Sequence, residues 1–264
     1  MAATEQTPII FYDLADANNK YWSFNPYKTR LSLNYKGLPY RVVYLSFPDI
    51  EPTLKELGVA SVSETFPRYT LPVIADPSTD PNGKPTYVSD SFKIALYLDE
   101  KYPAPEYPSI FSPGTHGLQN LLMTEYFPTL VSAVVPLCAP NLLRILDSRS
   151  IDYIKRTRGA SFIPNPLSEE AKLQSLKKAQ QAFENLMHSL DLNDGSGPFV
   201  LGTQVSFIDF SMGGLLHFVQ KSGKEDSAVF EAILSWSEGK WGIYWNKIQQ
   251  IETSSPEVLL NVDA

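Results

Sequence analysis

The chain has 264 residues, which is long enough for one large domain or two ordinary ones. Hydrophobic residues make up 43% of it and charged residues 19%, a composition that excludes a disordered or collagen-like chain. Its 22 Lys and Arg against 29 Asp and Glu give a net charge of −7, which disfavours general binding to nucleic acid or to anionic membranes.

The cysteine and histidine content argues against two further kinds of site. Cys138 is the only cysteine, which excludes an intramolecular disulfide framework, and the three histidines are far apart, so we expect no metal site. The N-terminal segment lacks the basic and apolar pattern of a secretory signal, and no apolar run approaches the ~20 residues that span a bilayer. We therefore expect a cytoplasmic protein without a membrane partner.

The first hundred residues alternate between strand and helix patterns. Pro8–Tyr12 and Tyr40–Leu45 are short β-branched and aromatic runs, which predict two strands. Between them, Asn25 suits a helix N-cap, Pro26 the first helical position, and Gly37 a left-handed C-terminus. Two strands joined by a helix in this way are predicted to be parallel.

The pattern continues with a weaker helical stretch at Glu51–Leu57 and two further strands, Leu71–Ala75 and Thr86–Val88. A helix is then predicted over Ser91–Lys101, with its apolar residues on one side. The resulting order, β-α-β-α-β-β-α, is typical of a thioredoxin-like α/β domain.

A proline-rich segment at 102–113 marks a change in this pattern, because its four prolines cannot all lie in a helix. Strand patterns nearly vanish after it, and the predicted elements are the helices Leu118–Leu137, Asn141–Arg158, Leu167–Leu190, Ser206–Val219 and Ser227–Ser237. The sequence therefore predicts a thioredoxin-like N-terminal domain at 1–103 and an all-α C-terminal domain at 114–264.

Four segments in this order carry a family resemblance: WSFNPYKTRLSLNYKGLPY, YTLPVI, VSDSFKIALYLDEKYP and QVSFIDFSMGGL. Together they resemble the cytosolic glutathione transferases, and most of all the fungal class related to bacterial β-etherases. The resemblance implies glutathione as co-substrate, small apolar or aromatic ligands, and a homodimer.

A glutathione transferase uses the thiolate of glutathione as its nucleophile. By resemblance, Ser23 occupies the position at which related classes carry a catalytic serine or cysteine, and a serine favours conjugation over thiol–disulfide exchange. Three alternatives stay open: Ser23 as a loop serine that assists the helix cap, Tyr12 as a tyrosine donor, and Asn25 as an amide donor.

The resemblance also implies four glutathione-binding residues. Pro72 matches a cis-proline of the thioredoxin-like fold, and the backbone of Leu71 would pair with glutathione as a strand does. Asp90 and Ser91 precede a helix, where the Ser91 hydroxyl and the helix amides would bind the γ-glutamyl carboxylate, and Asp90 would approach the ammonium. From the residues alone, a trans-proline and ordinary helix capping explain the same positions.

The remaining features have structural interpretations. Ser206 and Asp209 form a capping-box pattern, Cys138 is interpreted as a buried apolar side chain, and the C-terminal tryptophans as packing residues. The basic stretch that ends at Arg158 is interpreted as a solvated helix face, with attraction of an acidic ligand as the alternative.

The sequence and the family resemblance lead to two hypotheses about function. The first is a glutathione transferase that directs the thiolate at an apolar or aromatic electrophile between the two domains, with glutathione-dependent ether cleavage or peroxide reduction as related activities. The second is a non-catalytic or weakly catalytic carrier of aromatic or polyphenolic compounds.

Overall fold

The structure is a computed structural model that describes residues 2–77, 83–159, 162, 165–193, 195–223 and 227–259. Its strands are β1 (Ile9–Leu14), β2 (Tyr40–Leu45), β3 (Val73–Asp76) and β4 (Thr86–Ser89), in the sheet order β2-β1-β3-β4. β1 and β2 are parallel, as predicted, whereas β3 runs antiparallel to both β1 and β4.

Three helices accompany this sheet: α1 (Phe24–Lys36), α2 (Ile50–Glu56) and α3 (Ser91–Lys101). The order β1-α1-β2-α2-β3-β4-α3 confirms the predicted sequence of elements. α3 has the predicted bounds, and β2 does as well, because strong signals mark both ends of each.

After α3, the residues that the structure describes form helices and their connections, which confirms the predicted fold class. Its α-helices are α4 (His116–Leu121), α5 (Phe127–Cys138), α6 (Leu142–Ile145), α7 (Ser148–Arg158), α8 (Glu169–Leu190), α9 (Phe207–Ser222), α10 (Ala228–Ser235) and α11 (Lys240–Thr253). The domain limits of 1–103 and 114–264 stay a prediction.

The predicted cap of α1 is wrong. Ser23, not Asn25, is the N-cap, with an extended backbone at φ −84 and ψ 134. Pro26 is consequently the third helical residue, where its missing N–H is still one that a helix N-terminus leaves unpaired. Gly37 ends the helix in the left-handed conformation at φ 65, as predicted.

Two helix predictions in the C-terminal part are also wrong. The helix predicted over Asn141–Arg158 is divided into α6 and α7, because Leu146 is extended and the Asp147 carboxylate accepts a hydrogen bond from the Ser150 N–H at 3.0 Å. The helix predicted over Ser227–Ser237 ends at Ser235, and α11 follows it without having been predicted.

One helical stretch, His116–Ile145, is long and apolar enough to cross a membrane by length and composition, with a mean hydropathy of 1.5 over its most apolar window. By this criterion, the expectation that no segment is sufficiently apolar is wrong. A single helix of this kind is weak evidence for a membrane span, so no membrane assignment follows.

Helix α1 lies at the centre of the molecule, and 10 of its 13 residues are buried. It packs against α9, where the ring of Tyr27 stacks on that of His217 with centroids 3.9 Å apart. At Gly214 of α9, a Cβ atom would lie only 2.6 Å from the carbonyl oxygen of Phe24, the first residue of α1. Glycine at 214 therefore lets the two helix backbones touch at the N-terminus of α1.

We predict that Gly214→Ala lowers the free energy of unfolding by ~1–3 kcal/mol, because the new methyl group would overlap backbone that cannot easily move. Urea unfolding would measure it. Gly117→Ala in α4 is the matched control: nothing lies within 4 Å of its Cβ position, so higher helix propensity should raise stability by up to ~1 kcal/mol. An equal gain in both variants would show that the α1–α9 contact does not require glycine.

Candidate functional site

Ser23 lines a cavity of about 390 Å³ beside the N-terminus of α1, which we call the Ser23 cavity. Its side chain makes no capping hydrogen bond to α1 within the described residues, so the hydroxyl is not committed to the helix. None of the residues in the described first turn of α1 is acidic. The partial positive charge of the helix N-terminus is therefore not offset by a carboxylate of that turn.

A second cavity of about 570 Å³ lies next to it, and we call it the α3 cavity because the N-terminus of α3 forms one side. It is lined by all four predicted glutathione-binding residues, Leu71, Pro72, Asp90 and Ser91. Leu71 also lines the Ser23 cavity, as do two further residues of the α3 cavity, Asn25 and Thr70. The structure thus places the predicted catalytic serine and the predicted binding residues along one cleft; their chemical roles stay predictions.

The N-terminus of α3 is capped by Asp90, whose Oδ1 accepts hydrogen bonds from the N–H groups of Phe92 and Lys93, both at 3.0 Å. Ser91 is the first helical residue, so its hydroxyl is not used for the cap. Asp90 has a positive φ of 79, a backbone conformation that costs a non-glycine residue ~1–3 kcal/mol. Such strain concentrates at functional sites, which directs attention to this helix end.

Leu71 and Pro72 are joined by a cis peptide bond, as the resemblance implied. β3 begins at Val73, so the backbone of Leu71 precedes the strand ladder. An extended ligand in the α3 cavity can therefore meet this backbone in the manner of an added strand.

Lys28 is a buried charged residue of the α3 cavity that the sequence analysis missed. It is only 4% exposed, and its Nζ donates to Asn25 Oδ1 at 2.9 Å and lies 5.0 Å from the ring centre of Phe127. Burial lowers the pKa of Lys28 to about 8, although the negative charge of Asp90 acts to raise it. No sequence signal distinguishes it, because lysine one turn into a helix ordinarily lies on an exposed face.

Asn25 and Tyr12, the two alternative hydrogen-bond donors to the glutathione sulfur, lie in different parts of the structure. Asn25 lies in the first turn of α1 and lines both cavities, and its Oδ1 accepts a hydrogen bond from Lys28. Tyr12 lies in β1 opposite Val43 and Val73 and is not among the described residues that line either cavity. The geometry therefore keeps Asn25 as an alternative and does not support Tyr12.

The Ser23 cavity has an apolar lining drawn from both parts of the chain. Trp22 and Phe47 contribute from the N-terminal part, and Val131, Leu142 and Phe218 from the helical part. This is the location predicted for the electrophile. Arg158 also lines it, so the interpretation of this arginine as part of a solvated face is wrong.

The structural interpretations of three other features are confirmed. Ser206 and Asp209 form a capping box at α9. Trp241 is fully buried and packs on Phe183 with ring centres 4.8 Å apart. Cys138 is buried, and burial raises the pKa of its thiol to about 11, which makes it a poor nucleophile.

Two family models match the chain: the glutathione S-transferase N-terminal domain at residues 22–101 and the glutathione S-transferase C-terminal domain at residues 117–250. A relative from Aspergillus flavus, glutathione S-transferase-like protein ustS, is 30% identical over 97% of this chain and 96% of that protein.

Solved structures of two fungal glutathione transferases are also similar to this chain. The glutathione S-transferase CsGST63524 of Ceriporiopsis subvermispora, solved in complex with glutathione, is 31% identical with a TM-score of 0.82, over 93% of this chain and 98% of that one. The glutathione transferase GSTFuA3 of Phanerochaete chrysosporium is 29% identical with a TM-score of 0.81, over 92% and 97% of the two chains.

We predict that Asp90→Ala destabilises the fold by ~0.5–2 kcal/mol, because two amides at the N-terminus of α3 lose their acceptor. Asp90→Asn keeps an acceptor oxygen at the same place and should stay within ~0.5 kcal/mol of the parent. Urea unfolding of the three proteins would measure the difference, and an equal loss in both variants would assign the stabilisation to the charge of Asp90 instead of the cap.

Proposed function

Because the chain belongs to the glutathione S-transferase family, we propose that it binds glutathione in the α3 cavity and directs the thiolate at an apolar or aromatic electrophile in the Ser23 cavity. The observation that carries this proposal is the pair of adjoining cavities at the N-terminus of α1, which share Asn25, Thr70 and Leu71. A ligand in one cavity can thus reach a ligand in the other.

The α3 cavity offers partners for the cysteinyl and γ-glutamyl parts of a glutathione molecule. The backbone of Leu71 can pair with the cysteinyl unit, and the Ser91 hydroxyl with the amides of α3 can bind the γ-glutamyl carboxylate. The capping bonds occupy Oδ1 of Asp90, which leaves its second carboxylate oxygen for the γ-glutamyl ammonium.

Activation of the thiol requires the thiolate to be favoured over the neutral form. A free thiol has a pKa of ~8.5, and lowering it by ~2 units takes ~2.7 kcal/mol of preferential stabilisation. In our proposal the Ser23 hydroxyl donates to the sulfur, and the N-terminus of α1 supplies a favourable dipole. Lys28 adds a positive charge to the same cleft and donates a hydrogen bond to Asn25 Oδ1.

We predict that Ser23→Ala lowers kcat/KM for 1-chloro-2,4-dinitrobenzene by ~10–100-fold, the effect of one hydrogen bond to a charged group. The pKa of bound glutathione, read from thiolate absorbance, should rise in parallel. Tyr12→Phe is the matched control, because it removes a hydroxyl outside both cavities and should leave the rate unchanged.

Two results would contradict the role of Ser23. Equal rates in Ser23→Ala and the parent would remove it from catalysis, and a large loss in Asn25→Ala alone would transfer the role to Asn25. Glutathione binding by calorimetry without turnover of any electrophile would favour the carrier function.

We predict that Lys28 makes glutathione binding dependent on pH. Its pKa of about 8 is lower than that of an exposed lysine, so the ammonium is charged below pH 8 and neutral above it. Binding of S-methylglutathione, which has no thiol to titrate, should weaken by up to ~10-fold between pH 7 and pH 9, because the neutral amine no longer attracts its carboxylates.

Calorimetry with Lys28→Met provides the control. This variant should bind S-methylglutathione more weakly at pH 7, and its affinity should change less with pH than that of the parent. The same pH profile in both proteins would assign the titration to the ligand. The homodimer that the resemblance implied and the cytoplasmic location expected from the N-terminal segment stay predictions.

A further inference from the structure

Arg158 is the one charged residue among the described residues that line the Ser23 cavity. It is the last residue of α7, and its guanidinium carbon lies 5.4 Å from the ring centre of Phe47 and 4.7 Å from that of Phe162. Its Nε atom is buried and has no hydrogen-bond partner. Among the residues that the structure describes, no carboxylate forms an ion pair with it.

A comparison with Arg30 shows how unusual this is within the same molecule. Arg30 is 3% exposed, and its guanidinium donates to Asp13 at 3.0 Å and to Glu257 at 2.8 Å. These charges raise the pKa of Arg30 despite its burial, whereas burial lowers the pKa of Arg158. The buried arginine of the core thus has its countercharges within the chain, and the arginine of the cavity does not.

A cation that is partly removed from water costs free energy unless an anion or hydrogen-bond acceptor compensates for it. The described lining of the cavity supplies no anion, because it is mostly aliphatic and aromatic and holds no other charged residue. A ligand that enters the cavity can supply one, and the ring of Phe47 beside the guanidinium offers it an aromatic contact.

We propose that the Ser23 cavity takes an aromatic ligand that carries an acidic group, a carboxylate, sulfonate or phenolate, and that Arg158 pairs with this anion. The inference rests on the proposed function, in which this cavity holds the second substrate, and it specifies the chemical class of that substrate. The chain as a whole has a net charge of −7 and repels anions, so a preference for an acidic ligand has to arise from a local group.

A matched pair of fluorescent probes tests this preference. 8-Anilinonaphthalene-1-sulfonate and N-phenyl-1-naphthylamine share the same aromatic frame, and only the first carries an anion. Both are titrated against the parent protein, Arg158→Gln, Arg158→Lys and Arg156→Gln. Arg156 is an exposed residue of the same helix that is not among the residues lining the cavity, and it serves as the matched control.

We expect Arg158→Gln to weaken binding of the sulfonate probe by ~10–100-fold, the effect of losing a charged hydrogen-bond pair, and to change binding of the neutral probe by less than ~3-fold. Arg158→Lys should give an intermediate affinity because it keeps the charge and loses the planar fork. Arg156→Gln should behave as the parent. Circular dichroism melts confirm that each variant is folded.

Three results would overturn the inference. They are an unchanged affinity of Arg158→Gln for the sulfonate probe, an equal loss of affinity for both probes in that variant, or an equal loss of affinity for the sulfonate probe in Arg156→Gln. Glutathione affinity, measured by calorimetry on the same proteins, separates this test from that of the proposed function. If glutathione binds and the probes do not discriminate, only the inference about Arg158 fails. If glutathione does not bind and the probes discriminate through Arg158, the anion preference stands and the transferase function fails.

Discussion

The contact between α9 and the first turn of α1 is the constraint on which the cleft depends. The Phe24 carbonyl oxygen lies 2.6 Å from the position that a Cβ at Gly214 would take, so no other residue fits without a shift of backbone. Ser23 and Asn25 flank Phe24 and line the cleft. A helix of the C-terminal part therefore fixes the position of the residues that face the ligand in the N-terminal part.

The buried cations of α1 and α7 divide into two groups by their partners. Arg30 pairs with Asp13 and Glu257, and Lys36 with Asp99 at 2.7 Å, so the fold itself neutralises them. Among the described residues, Lys28 has a single acceptor, Asn25 Oδ1, and Arg158 has no carboxylate partner. Among the described residues, neither Lys28 nor Arg158 forms an ion pair with a carboxylate, and each lines a cavity, where an incoming anion can pair with it.

The sequence predicted the fold well where local signals are strong, as for α3, which starts after Asp90 and ends before a proline segment. It misplaced the cap of α1, because Asn25 has the better capping side chain and only tertiary packing shows that the helix starts at Phe24. The family pattern identified the four predicted binding residues, and the structure places them in one cavity. Lys28 could not be found, since its burial depends on helices distant in sequence. For Arg158 the sequence offered an acidic ligand only as the alternative to a solvated helix face.

The cleft is polar at one end and apolar at the other, and this asymmetry fits a reaction between two unlike molecules. The α3 cavity offers a helix N-terminus and Lys28 to a zwitterionic peptide, whereas the Ser23 cavity offers aromatic faces and one arginine. Leu71 lines both, so a thiol held against its backbone lies where the two environments meet. In the proposed reaction, the sulfur thus reaches an electrophile in the Ser23 cavity while the peptide stays in the α3 cavity.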